Sequence, residues 1–153
     1  MNSSNKYSCC FFGHRDTPKE ILPLLTKEIE NLIVNENVFM FYLGGYGNFD
    51  AYAASTLKKL KTNYPFIRLI YVSAYLSALE NNKALLSSFD ETIYPHGLET
   101  VPKKFAISHR NRWIVENCDY MIAYVCRSYG GAYAAFNYGK NKTIRIINLS
   151  DNH

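Results

Sequence analysis

The sequence predicts an α/β fold in a single domain, and three observations lead to that prediction. Short apolar runs of strand length alternate with segments whose apolar residues recur at helical spacing. Glycine-rich turns follow several of the apolar runs, where parallel strands usually lead into helices. The 153 residues suffice for one buried core and leave no room for a second independent domain. We therefore expect a three-layer Rossmann-like sandwich around a mostly parallel sheet of about five strands, with residues 1–5 and 151–153 frayed.

Five strands are predicted from apolar runs that end at glycine, proline or polar turns. The first run stops at Gly13, and the second leads directly into Gly44 and Gly45. The predicted strands cover residues 7–12, 38–43, 67–72, 120–125 and 144–149. Residues 92–94 are also strand-like, but they fall in the irregular segment 73–102 and are not counted among the five.

Helices are predicted between the strands, where apolar residues are spaced three and four apart. The first begins near Lys19, with Thr17 and Pro18 well placed at its start. Its apolar positions are Ile21, Leu24, Leu25, Ile29, Leu32 and Ile33. Further helices are predicted over residues 49–64, 103–117 and 132–138, with a short one around 76–86.

The charge pattern favours a pocket for anions over a nucleic-acid surface. The formal net charge is +4, but the basic residues are scattered among acidic ones and form no long run. No apolar run approaches the ~20 residues that cross a bilayer, and the amino terminus lacks the layout of a signal peptide. We therefore predict a cytoplasmic protein without a membrane partner.

Neither a metal nor a cofactor is predicted. The cysteines at positions 9, 10, 118 and 126 include no C-x-x-C pair, so zinc and redox motifs are disfavoured. His14, His96 and His109 show no metal-binding spacing. A P-loop, a G-x-S-x-G elbow and a dinucleotide-binding G-x-G-x-x-G motif with its ribose-binding acid are also absent from the sequence, which disfavours NTPases and dehydrogenases.

Three polar or glycine-rich segments are expected to meet at the carboxyl edge of the sheet, where α/β proteins bind ligands. They are residues 13–15, 44–50 and 128–131. Such turns expose backbone N–H groups, and the helix dipole adds attraction for an anion. We predict one pocket for the phosphates of a nucleotide or nucleotide-derived molecule. The predicted binding residues are Gly13, His14, Arg15, Gly44, Gly45, Gly47, Asn48, Phe49, Asp50, Arg110, Asn111, Tyr129, Gly130 and Gly131.

The arginines and the aspartate among the predicted binding residues each suggest a specific role. Arg15 and Arg110 could each form bidentate contacts with a phosphate, and the polar cluster around Arg110 suggests that its helix faces the ligand. Asp50 could cap its helix, or it could contact a ribose hydroxyl or act in catalysis. The sequence leaves both roles of Asp50 open.

Several motifs along the chain together resemble the SLOG superfamily, which includes the LOG phosphoribohydrolases and DprA-related domains, and look closest to its YpsA-like branch. The motifs are Phe12-Gly13-His14-Arg15, Gly44-Gly45-x-Gly47-x-Phe49-Asp50-x-x-Ala53-Ala54, Tyr94-Pro95-x-Gly97-Leu98-Glu99-x-Val101-Pro102-x-Lys104-Phe105-Ala106-Ile107, Arg110-Asn111-x-Trp113, Asp119 and Gly130-Gly131-Ala132-Tyr133. They extend over nearly the whole chain.

The resemblance implies alternative functions. LOG enzymes cleave the N-glycosidic bond of nucleoside 5′-monophosphates with an arginine and a glutamate. Arg110 matches that arginine, but residues 129–136 lack the glutamate of the P-G-G-x-G-T-x-x-E motif. We therefore expect a protein that senses or sequesters a ligand related to ADP-ribose or NAD. The alternative is a phosphoribohydrolase that uses Arg110 with Asp50 or Glu116 as its carboxylate.

Two further expectations follow from the same resemblance. The DprA relationship suggests a single-stranded nucleic-acid module as a third function, although the scattered basic residues make it the least favoured. Relatives commonly associate through helices beside the pocket, so we expect a homo-oligomer, either a dimer or a larger assembly.

Overall fold

The computed structural model describes residues 6–45, 47–81 and 83–152, and within them the chain forms six strands. The strands are β1 (Tyr7–Gly13), β2 (Val38–Leu43), β3 (Arg68–Val72), β4 (Glu91–Ile93), β5 (Tyr120–Tyr124) and β6 (Arg145–Asn148). Five of them correspond to the predicted strands. The sixth, β4, is the strand-like segment that the prediction left uncounted. Residues 1–5 and 153, for which fraying is predicted, lie outside the described residues.

Among the described residues, six α-helical segments connect or follow the strands. They are α1 (Leu22–Glu36), α2 (Gly47–Asn63), α3 (Leu76–Asn81), α4 (Lys83–Leu86), α5 (Ala106–Glu116) and α6 (Gly131–Lys140). Single 3₁₀ turns cover Lys19–Ile21, Leu98–Thr100, Lys103–Phe105 and Leu149–Asn152. All the described residues of the helix predicted over residues 76–86, namely 76–81 and 83–86, are helical. No helix among the described residues is long and apolar enough to cross a membrane.

All strand pairs are parallel, and the sheet has the order β4-β3-β2-β1-β5-β6. The chain proceeds from β1 outward to β4, and then returns past β1 to form β5 on its other side. Gly13 at the end of β1 stands opposite Tyr124 at the end of β5. The order of the strands therefore reverses between β1 and β5, and such a switch point is where open α/β sheets bind ligands.

Alternate residues of the central strands build two cores, one on each face of the sheet. On one face, Cys9 and Phe11 of β1 pack with the buried residues of α1 and α2. On the other face, Cys10 and Phe12 pack with α5 and α6. The result is the predicted three-layer Rossmann-like sandwich. Because β1 and β5 are central and covered on both faces, their carboxyl ends are held rigidly at the switch point.

Candidate functional site

A cleft of about 440 Å³ opens at the carboxyl ends of β1 and β5. It brings together the loop after β1, the end of β2, the first turn of α2, one face of α5 and the start of α6. Most of the predicted site residues line it, namely Gly13, His14, Arg15, Gly44, Asp50, Arg110, Asn111, Tyr129, Gly130 and Gly131. The predicted glycine turns therefore share one cleft at the topological switch point.

Four predicted residues lie outside the cleft lining. Gly45, Gly47 and Asn48 belong to the turn into α2, and Phe49 is fully buried. A Cβ atom at Gly13 would lie 2.3 Å from Cγ of Phe49, so glycine is required where this ring packs. Phe49 consequently belongs to the core beneath the cleft, and its ring is not a surface on which a ligand could stack.

His14 joins the loop after β1 to the loop between β5 and α6. Its imidazole is buried, and its Nε2 atom accepts hydrogen bonds from the backbone N–H groups of Cys126, at 3.0 Å, and Arg127, at 3.3 Å. Burial lowers the pKa of His14 below its ordinary value, and the nearby Arg127 charge lowers it further, while Asp16 opposes the shift. The neutral imidazole thus shapes the wall of the cleft.

Arg110 is buried against the ends of two strands. Its Nη1 donates to the carbonyl oxygen of Val72 at 2.9 Å and to that of Gly44 at 3.1 Å. Its Nε donates to Oδ1 of Asn111 at 2.8 Å. A Cβ atom at Gly44 would lie 2.9 Å from Cζ of Arg110, so glycine admits the guanidinium here. Arg110 lines the cleft and also ties β2 to β3.

Two other arginines, which are more exposed than Arg110, make the cleft electropositive. Arg15 is exposed, and Arg127 is partly exposed, with its guanidinium Nη2 2.6 Å from Oδ2 of Asp16. The hydrogen bond from Arg127 holds the pKa of the Asp16 carboxyl below its ordinary value. Among the described residues that line the cleft, Asp50 in the first turn of α2 is the one carboxylate. Arginine in this arrangement favours an anionic ligand.

The amino terminus of α6 opens into the same cleft. Gly130 has a φ of 95°, a backbone conformation that residues with a side chain rarely adopt. No side chain forms a capping hydrogen bond at this end of the helix. Added Cβ atoms at Gly130 or Gly131 would meet nothing within 4 Å. The first backbone N–H groups of a helix lack intrahelical partners, so an uncapped, open terminus attracts an anion. Tyr129, which is 69% exposed, stands directly before this turn.

Glu116, the alternative catalytic carboxylate, lies in the last turn of α5 and outside the cleft lining. Its Oε2 accepts a hydrogen bond from the hydroxyl of Tyr138 on α6. Asp50 is therefore the predicted carboxylate that the fold brings to the same cleft as Arg110.

Sequence reasoning missed several residues that line the cleft. They are Phe11, Phe12, Ile107, Arg127 and Ala132. Arg127 could have been found, because it is a basic residue between the end of a strand and a glycine pair. Ile107 could also have been found, because it precedes Arg110 and Asn111 by three and four positions and shares their helix face.

Comparison with protein-family models and with curated proteins finds no match for this chain. The resemblance to the SLOG superfamily therefore stays a prediction from the motifs. Within the described residues, no group of three or more His, Cys, Asp and Glu side chains is arranged to hold a metal ion.

Proposed function

We propose that the cleft binds the phosphates of a nucleotide-derived molecule related to ADP-ribose or NAD, and that the protein senses or sequesters this ligand. The observation that carries the proposal is the convergence of Arg15, Arg127 and the uncapped start of α6 on one cleft. The cleft volume of about 440 Å³ is within the range of small-molecule sites. The motifs that resemble the SLOG superfamily support the same ligand class.

The geometry suggests that different residues of the cleft would contact the phosphate, the base and the ribose of the ligand. A phosphate would accept hydrogen bonds from the first backbone N–H groups of α6, where Gly131 leaves open space. Arg15 and Arg127 would add charge-assisted contacts from the cleft walls. The exposed ring of Tyr129 would stack on a base or lie along a ribose. Asp50, which lines the cleft, would accept a hydrogen bond from a ribose hydroxyl.

One observation favours a second candidate, hydrolysis of the N-glycosidic bond of a nucleoside 5′-monophosphate. Asp50 and Arg110 line the same cleft, and such hydrolysis needs a carboxylate close to the sugar. Asp50 would stabilise positive charge on the sugar or activate water. The absence of a carboxylate from residues 129–136 makes this the weaker candidate.

Calorimetric titration with AMP, ADP-ribose and NAD tests both candidates when each mixture is afterwards separated by chromatography. We expect saturable binding and recovery of intact ligand. Arg127→Ala and Arg15→Ala should each weaken binding about tenfold, because each removes a charge-assisted contact. Arg68→Ala is the matched control, since it removes the same charge from the opposite end of the sheet. Equal affinities in all four proteins would refute the proposed site.

Release of free base would instead identify the hydrolase, and Asp50→Asn should then abolish release while weakening binding only slightly, because the asparagine Oδ1 can still accept a hydrogen bond from a ribose hydroxyl. Sedimentation with and without ligand tests the proposed dimer or larger homo-oligomer. Fractionation of cells tests the proposed cytoplasmic location.

A further inference from the structure

The two hydrogen bonds at His14 Nε2, which we call the His14 clasp, require an unprotonated nitrogen. Nε2 accepts from the N–H groups of Cys126 and Arg127, at 3.0 and 3.3 Å. A nitrogen that accepts two hydrogen bonds carries no proton, so the imidazole is neutral with its proton on Nδ1. The clasp is therefore compatible with only one protonation state of His14.

Protonation of Nε2 would break the clasp, because an N–H group would then face two other N–H donors. The side chain is only 6% exposed, so water cannot easily replace the lost partners. The charged groups that face the imidazole are Arg127 from the loop after β5 and Asp16 from its own loop. Asp16 is already paired with Arg127. On β5 the ring of Tyr124 packs edge-on against the imidazole, with centroids 6.3 Å apart.

The clasp lies at the start of a segment that lines part of the cleft. Arg127 donates one of the clasped N–H groups, and its side chain lines the cleft. Residues 129–131 follow Arg127 within four positions. They line the cleft and form the turn that leads into α6. Loss of the clasp would leave the exposed ion pair of Arg127 with Asp16 to hold this loop to the loop after β1, and would loosen the geometry that anion binding requires.

We propose that His14 is a pH-sensitive positioning residue, which as a neutral imidazole holds the loop between β5 and α6 in its anion-binding form and releases it when protonated. This inference rests on the proposed function of the cleft. It predicts that affinity for an anion falls as the pH falls. A simple electrostatic effect has the opposite sign, because a positive charge on His14 would strengthen anion binding.

The test is the affinity for ADP-ribose measured by calorimetry from about pH 8 to about pH 4.5, a range that extends below the ordinary histidine value because burial lowers the pKa of His14. ADP-ribose is suitable because its pyrophosphate diester does not ionise in this range. Loss of two hydrogen bonds predicts a fall in affinity of about tenfold or more for the unmodified protein. An affinity that is constant or rises as the pH falls would overturn the proposal.

His14→Gln is the decisive variant, because the glutamine Oε1 atom can accept the same two hydrogen bonds and does not titrate. It should bind ADP-ribose at low pH about as tightly as the unmodified protein does at high pH. His14→Leu, which lacks an acceptor, should bind weakly at every pH. If His14→Gln keeps the pH dependence of the unmodified protein, His14 is not its source and the inference is wrong.

A measurement without ligand separates this inference from the proposed function. The ¹⁵N chemical shifts of the imidazole report whether Nε2 is unprotonated at neutral pH. The amide resonances of Cys126 and Arg127 should move with the same midpoint as His14. If ADP-ribose fails to bind at high pH but these resonances move together, the proposed ligand is wrong and the clasp stands. If the Cys126 and Arg127 amide resonances stay fixed while His14 titrates, the clasp itself is refuted. This measurement uses the unmodified protein, so it does not depend on the folding of a variant.

Discussion

Replacing Arg110 with alanine tests whether this buried guanidinium is part of the framework beneath the cleft. The side chain is 3% exposed, and its Nη1 donates to the carbonyl oxygens of Gly44 and Val72. These carbonyls follow β2 and end β3, so one charged group joins the two strands at their carboxyl ends. We expect Arg110→Ala to fold but to be substantially less stable than the unmodified protein.

The magnitude follows from the hydrogen bonds that are lost. A buried carbonyl deprived of its donor costs about 1–3 kcal/mol, so two of them predict a loss of about 2–6 kcal/mol in the free energy of unfolding. That loss is a large part of the ~5–15 kcal/mol that stabilises an ordinary domain. Arg110→Lys keeps a cation that can reach one carbonyl, and should fall between the alanine variant and the unmodified protein.

Urea unfolding followed by circular dichroism measures these differences. Arg112→Ala is the control, because Arg112 lies on the same helix but is exposed, with its guanidinium 5.5 Å from the centroid of the Tyr138 ring. Its loss should cost no more than about 1 kcal/mol. Should Arg110→Ala and Arg112→Ala prove equally stable, the framework role of Arg110 would be refuted.

Three further predictions concern stability. Gly13→Ala should cost about 1–3 kcal/mol, because its Cβ would lie 2.3 Å from the Phe49 ring, and urea unfolding measures this loss. Gly130→Ala should cost about 1 kcal/mol through its positive φ, whereas Gly131→Ala, in open space at the start of a helix, should be neutral or stabilising; equal effects would contradict the backbone explanation. Because the pKa of folded His14 is lowered, its contribution to stability is complete above about pH 6.5 and is lost as the pH falls through the folded value. His14→Gln should remove that part of the pH dependence.

The sheet could be predicted because its central strands are short apolar runs that end at turn residues. β2 begins and ends where the pattern places it, since both faces of the strand are covered and every position is apolar. β4 was not counted because it has three residues and occupies one edge of the sheet, where Glu91 and Thr92 are exposed. A pattern of apolar residues does not reveal an edge strand whose side chains are largely exposed.

The cleft could be located from the sequence, but the directions of its side chains could not. The glycine turns identify the carboxyl edge because they follow strands. Phe49 belongs to the same turn as Asp50, yet one is buried in the core and the other lines the cleft. His14 is predicted to touch the ligand and lines the cleft, but the sequence does not show that its Nε2 also accepts hydrogen bonds from backbone more than one hundred positions away. Such pairings depend on strand order, which the sequence pattern did not give.

The hydrogen bonds of Arg110 also bear on the choice between a binding protein and a hydrolase. For Nη1 or Nε to contact a substrate, a buried hydrogen bond to Gly44 or Val72, or a partly buried one to Asn111, would have to be replaced. Arg15 is exposed, and Arg127 would give up only a surface ion pair worth about 1 kcal/mol or less. Contacts from Arg15 and Arg127 would therefore disturb less of the framework than contacts from Nη1 or Nε of Arg110, which favours the proposed capture of a phosphate by these two residues.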